Sequence, residues 1–91
     1  MLERVLRALF TLDDIPAPEV APESDGWSLD WLTRGANVSI SVQDDGKLPY
    51  AWTCGDRHGY GVADIEDMQS LRLLNTYILM VTAPDKEGGG G

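Results

Sequence analysis

Leu2, Val5, Leu6, Leu9 and Phe10 recur at i, i+3, i+4, i+7 and i+8, the spacing that lines one face of an α-helix, so the chain is expected to open on a short amphipathic helix. Pro16, Pro18 and Pro22 stop it, because each lacks a backbone donor and drives the residue before it toward extended geometry. Residues 13–26 therefore read as an extended connector. From Trp27 the period falls to two. Trp27, Leu29 and Trp31 alternate with Ser28 and Asp30, and Val38, Ile40 and Val42 alternate with Asn37, Ser39, Ser41 and Gln43, as half-buried strands do. Gly35 supplies a turn between these two strands. Asp45-Gly46, a strong signal for a tight hairpin with positive φ at both turn positions, leads to a third strand through Leu48, Tyr50, Trp52 and Cys54. Pro49 cannot donate to a ladder, which points to an edge or a bulge.

Cys54 to Gly61 holds three glycines in eight residues and reads as a turn leading to a short fourth strand at Tyr60 to Ala63. Asp64 stands where a helix N-cap is expected, with Glu66 and Asp67 in the first turn, where carboxylates favour the positive end of the dipole. Ile65, Met68, Leu71, Leu74, Ile78 and Val81 then form a helical stripe, widened by Leu73, Tyr77 and Met80; a strand at 76–82 is the rival assignment. The expected fold is α+β: a short N-terminal helix, a three- to four-stranded antiparallel meander, and a C-terminal helix packed on one face. It forms a single small domain over residues 1–87, with a flexible glycine tail at 88–91. The expected core is Leu6, Leu9, Trp31, Val38, Ile40, Val42, Tyr50, Trp52, Met68, Leu71, Leu74 and Ile78.

Composition narrows the function classes. The 91 residues are 43% hydrophobic and 24% charged, a globular balance, but seven Lys and Arg against fifteen Asp and Glu leave a formal net charge of −8. That sign argues against direct contact with nucleic acid or an anionic membrane and for a protein partner with a basic surface. The acidic residues are also segregated. Asp13, Asp14, Glu19, Glu23, Asp25 and Asp30 fall in one stretch without a basic residue, and Asp44-Asp45 and Asp64, Glu66 and Asp67 make two further groups. A lone Cys54 excludes an internal disulfide and a multi-cysteine zinc site, and a cytoplasmic location is the expectation. The longest uncharged apolar stretch, Leu73 to Ala83, is far short of a membrane span of roughly 20 residues.

Candidate chemistry is confined to Cys54, Asp56 and His58, which supply a thiol, a carboxylate and an imidazole within one loop. Cys54 continues the inward face of Leu48, Tyr50 and Trp52, however, which favours a small buried hydrophobe over a nucleophile. No carboxylate or histidine pair has metal-ligand spacing, and no phosphate-loop lysine follows Gly55, Gly59 and Gly61, so no metal or other cofactor is expected. Trp27 begins its strand beside the Asp25-Gly26 turn and is the aromatic best placed to anchor a partner.

The lead-in Pro16, Pro18 and Pro22, the turn Asp25-Gly26, and Trp27, Leu29 and Trp31, followed by alternating Val38, Ile40 and Val42 and by Gly46, resemble a pattern in small uncharacterised proteins of bacteria and their mobile elements. That likeness spans residues 15–52 and consists of turn and strand chemistry, so it transfers no catalytic or binding residue. As a short acidic chain without an enzyme motif, the protein is similar in kind to phage-encoded inhibitors of host defence, anti-CRISPR proteins among them. The likeness implies a non-enzymatic binding protein that covers a basic, nucleic-acid-handling partner through Asp13, Asp14, Glu19, Glu23, Asp25, Trp27, Asp44 and Asp45. The alternative is a small assembly module or homodimer acting through apolar contacts.

Overall fold

The computed structural model describes residues 1–82. The end of the expected 1–87 domain and the glycine tail lie outside the described residues. Helix α1 (Leu2–Leu12) is followed by β1 (Glu19–Glu23), β2 (Gly26–Thr33), β3 (Ala36–Gln43), β4 (Lys47–Cys54), β5 (Arg57–Asp64) and α2 (Met68–Thr82). The strands form one antiparallel sheet in chain order, β1 to β5, so the meander has five strands rather than three or four. The α+β class and both helices match the periodicities of the sequence, and residues 76–82 are helical.

Period-two alternation fixes the register. Leu29, Ile40, Tyr50 and Gly61 stand in one row and Trp31, Val38, Trp52 and Gly59 in the next, all on the face that α2 covers. Leu29, Trp31, Val38, Ile40, Val42, Leu48 and Ala63 are buried there against Leu71, Leu74, Ile78 and Val81 of α2 and Val5 and Leu9 of α1. Leu6, Tyr50 and Trp52 are only partly buried against this core. Met68 is an exposed correction to the expected core: α2 starts at Met68 itself, so this residue lies in the first turn at the rim.

One strand escapes the sequence reading and another is longer than expected, each because of its partners in the sheet. Residues 19–23 of the connector pair with β2 as an edge strand, with every side chain exposed. Pro22 is tolerated because the two-residue turn Ser24-Asp25 makes Glu23 and Gly26 the closing pair; the next pair, Pro22 and Trp27, is then one whose main-chain donors point away from each other. The connector is held in place for this pairing by buried Ile15 and by Trp31, whose Nε1 donates to the Pro16 carbonyl at 2.7 Å. On the other edge β5 runs for eight residues, not four. Its Gly59 and Gly61 lie under the Trp52 and Tyr50 rings, where an added Cβ would come within 2.6 Å of Trp52 Nε1 and 2.7 Å of Tyr50 Oη. The rings occupy the space that β5 side chains would fill, and both rest against Tyr77 of α2, at centroid distances of 5.7 Å for Tyr50 and 5.2 Å for Trp52.

Three local expectations are corrected. The β3–β4 connection is a three-residue loop, Asp44-Asp45-Gly46, in which Gly46 alone has positive φ (84°), so the tight two-residue turn does not form. Pro49 lies in a central strand, just past the Ile40–Tyr50 pair where the β3–β4 ladder ends, so its missing donor costs no ladder bond there. Asp67, not Asp64, caps α2: its carboxylate accepts from the Gln69 backbone N–H at 3.1 Å and from Ser70 Oγ at 3.0 Å.

The helices are joined by Asn75, which is fully buried in the middle of α2. Its Nδ2 donates to the Leu9 carbonyl near the end of α1 at 2.9 Å and to the Asp13 carboxylate at 3.1 Å. Leu9 is thus fixed by its side chain in the core and by its carbonyl to α2. Truncating the amide leaves the Leu9 carbonyl with only the long Asp13 N–H contact at 3.4 Å and frees the Asp13 carboxylate, so Asn75→Ala is expected to cost about 1–3 kcal/mol in urea unfolding. Amide exchange should quicken first in α1; an unchanged midpoint would show that the bond does not hold the helices together.

Candidate functional site

Antiparallel topology gathers the β1–β2 turn, the β3–β4 loop and the end of β5 at one end of the sheet. The first two meet in an open cleft of about 510 Å³ lined by Ser24, Asp25, Gly26, Gln43, Asp44 and Asp45. Glu23 closes the β1–β2 turn beside it, and Trp27, two-fifths exposed, follows Gly26 in β2. The third group arrives through the β4–β5 register, which places Lys47 opposite Asp64.

Lys47 is the cation embedded in this end. Its Nζ lies 2.9 Å from Asp64 Oδ2, and its backbone N–H donates to Asp45 Oδ1 at 2.9 Å. The hydrogen bond and charge of Asp64, with smaller contributions from the charges of Asp45 and Glu66, raise the Lys47 ammonium above its ordinary pKa. Asp64 is held below the usual carboxylate range first by the Glu66 backbone N–H, which donates to Oδ1 at 2.9 Å, and then by Lys47. Lys47 therefore bridges the Asp44-Asp45 loop and the Asp64–Asp67 turn. Lys47 and Asp64 both stay ionised across neutral pH.

The eight residues singled out from sequence divide into two sets. Glu23, Asp25, Trp27, Asp44 and Asp45 share the acidic end. Asp13 is engaged with Asn75, Asp14 is exposed on the connector, and Glu19 pairs with Asp30 toward the other end of β1, beside a cleft lined by Pro16, Trp31 and Thr33. Asp64, Glu66 and Asp67 form a carboxylate group in the sequence, but the long-range β4–β5 pairing is what brings them to Lys47 and the other turns.

The Cys54, Asp56 and His58 grouping is taken apart by the strand register. Cys54 follows Trp52 on the helix-covered face, half-buried, whereas His58 lies opposite Thr53 on the open face. A sulfur and an imidazole on opposite faces of a sheet cannot exchange a proton directly. Among the described residues no three His, Cys, Asp or Glu side chains come together as a metal-holding group, and no helix is long and apolar enough to cross a membrane. Comparison with known proteins finds no matching family model, no similar curated protein and no similar solved structure.

The lowered Asp64 carboxyl gives a signed pH dependence. A carboxyl with a lowered folded pKa stabilises the fold above its unfolded pKa and loses that contribution as pH falls through the folded value. Asp64→Ala should therefore lower the thermal midpoint at neutral pH, and its gap from wild type should narrow as pH falls through and below the carboxylate range. A gap that stays constant with pH would mean that Asp64 acts through packing and not through charge.

Proposed function

We propose that this is a non-enzymatic binding protein that inhibits a basic, nucleic-acid-handling protein or complex by occupying its phosphate-binding surface. This is the mode of action expected of a phage-encoded, anti-CRISPR-like antagonist of host defence working in the cytoplasm. The observation that carries the reading is the convergence of three separate acidic segments, Glu23–Asp25, Asp44-Asp45 and Asp64–Asp67, at one end of the sheet, the last two bridged by Lys47. Carboxylates spaced along a rigid rim present negative charge as a phosphate backbone does, and Lys and Arg side chains on a partner would pair with them. Trp27, exposed beside the cleft, supplies the apolar anchor that charge alone lacks. Asp13, Asp14 and Glu19 add to the long-range field that steers association. Neither a cofactor nor direct contact with nucleic acid or membrane enters this reading.

A second reading, an assembly module or homodimer joined by apolar contacts, draws on the open face of the sheet. Its β2–β3 half is polar apart from exposed Leu32, with Asp30 accepting from Ser28 and Ser39 and Asn37 accepting from Thr53. Its β5 side exposes Tyr60 and Val62, which are 85% and 63% accessible.

The two readings separate on salt. Tagged protein incubated with bacterial lysate at about 0.1 M salt should retain a nucleic-acid-handling complex and release it within a gradient of a few tenths molar, because exposed pairs are screened over a Debye length of about 10 Å or less. Asp25→Lys with Asp44→Lys and Asp45→Lys should abolish retention. A retained partner without a basic surface, or one that resists high salt, would contradict the charge-based reading.

A further inference from the structure

We propose that β5 is a homodimerisation edge, at which two copies of this chain pair their β5 strands antiparallel about a two-fold axis at Gly61 and join two five-stranded sheets into one. The proposal gives the second reading above a specific interface, and rests on that reading rather than on the acidic end.

The two edges of the sheet are built differently. β1 is five residues long, carries Glu19 and Glu23, and includes Pro22, all features that blunt an edge against further pairing. β5 is eight residues long, has no proline, and keeps its charges at its ends, leaving Gly59 to Ala63 uncharged. The two-residue turn Gly55-Asp56 makes Cys54 and Arg57 its closing pair, so by alternation the odd-numbered residues of β5 turn their main-chain groups toward β4. The next odd residue agrees, since Ile65 N–H donates to the Gly46 carbonyl at 2.9 Å. His58, Tyr60 and Val62 therefore point theirs outward, with nothing in the described chain to receive them, whereas Asp64 keeps only its N–H free there because its carbonyl accepts from the Asp67 N–H at 3.0 Å.

Self-pairing about a two-fold axis can satisfy these groups in more than one register, and the side chains choose between them. Directly opposed residues in an antiparallel ladder share a face, so the open-face positions 58, 60, 62 and 64 must meet one another. Centring on Gly61 places Tyr60 against Val62 of the partner subunit and His58 against the partner's Asp64, the first pair aromatic on β-branched and the second a base facing a carboxylate. The neighbouring register, centred on Tyr60, would instead oppose the two Tyr60 residues and set Val62 against His58 of the partner subunit, leaving Asp64 past the end of the paired strand without a basic neighbour. The strand is thus self-complementary at Gly61, as a two-fold interface requires. Tyr60 and Val62 cover each other's flanks in the same step, and the Trp52 and Tyr50 rings that cover Gly59 and Gly61 keep the inner side of the joint filled.

An interface made by one strand pair is small, so a dissociation constant of about 10–100 µM is expected. Sedimentation equilibrium from about 5 µM to about 1 mM should show a monomer–dimer transition in this range. Over the same range, amide exchange at Tyr60 and Val62 should slow as concentration rises, while the amides at Gly59 and Gly61 stay equally protected throughout. Val62→Pro removes an outward donor that β4 does not use and Tyr60→Lys removes the aromatic pair; each should weaken association at least tenfold with an unchanged circular dichroism spectrum. A monomer at every concentration would overturn both this interface and the homodimer reading. A dimer that persists in both folded variants, or whose formation leaves Tyr60 and Val62 exchange unchanged, would overturn the interface alone.

Discussion

One helix has to cover a sheet wider than itself. Five strands spaced about 4.8 Å apart span roughly 19 Å between their outer axes, whereas a helix with its side chains is about 10–12 Å across. α2 meets β2 to β5, and the uncovered area is closed by two devices of different kinds. α1 contributes Val5 and Leu9 to the core and is fixed to α2 through Asn75. Toward β5 no second helix is present among the described residues, and the Tyr50, Trp52 and Tyr77 rings take its place. The glycines of β5 follow from that choice: large rings on β4 leave no room for side chains on the strand beside it.

The same constraint determines which surfaces are available for function. Among the described residues all cover lies on one face, so the other face and the turns carry what remains. Hairpin connectivity sends alternate turns to the same end, and here those turns hold acidic residues at Asp25, Asp44, Asp45 and Asp64–Asp67. The opposite end carries Arg34 and Arg57 together with Asp56, and Glu19 and Asp30 lie toward it, so there the acidic residues are balanced in part by basic ones. The excess negative charge of the sheet is therefore polarised along the strands. A polarised rim orients an approaching cationic surface, which a uniform charge cannot do.

Much of this was legible in the chain. Strict alternation from Trp27 to Cys54 gave the central three strands and their inward faces, and helical spacing gave both helices. What escaped depends on distant partners. Proline is a breaker in isolation, and Pro22 becomes a strand residue only because its missing donor faces away from β2. Gly59 and Gly61 look like loop residues until Trp52 and Tyr50 fold over them. Asn75 interrupts an apolar run in the sequence, yet it stands four residues after Leu71 and three before Ile78 and so belongs to the buried stripe; that spacing was the available signal for a polar group tied to another element. The acidic end was half legible, since local runs of carboxylates can be counted but their convergence needs the register of the whole sheet.

The central claim is that the acidic rim takes the place of nucleic acid on a basic partner. It is tested most directly by competition: the captured partner, immobilised and loaded with this protein, is titrated with duplex DNA or RNA at constant salt. The account predicts mutual displacement, with the nucleic acid releasing the protein and the protein releasing bound nucleic acid. Simultaneous binding of both at saturation would contradict it.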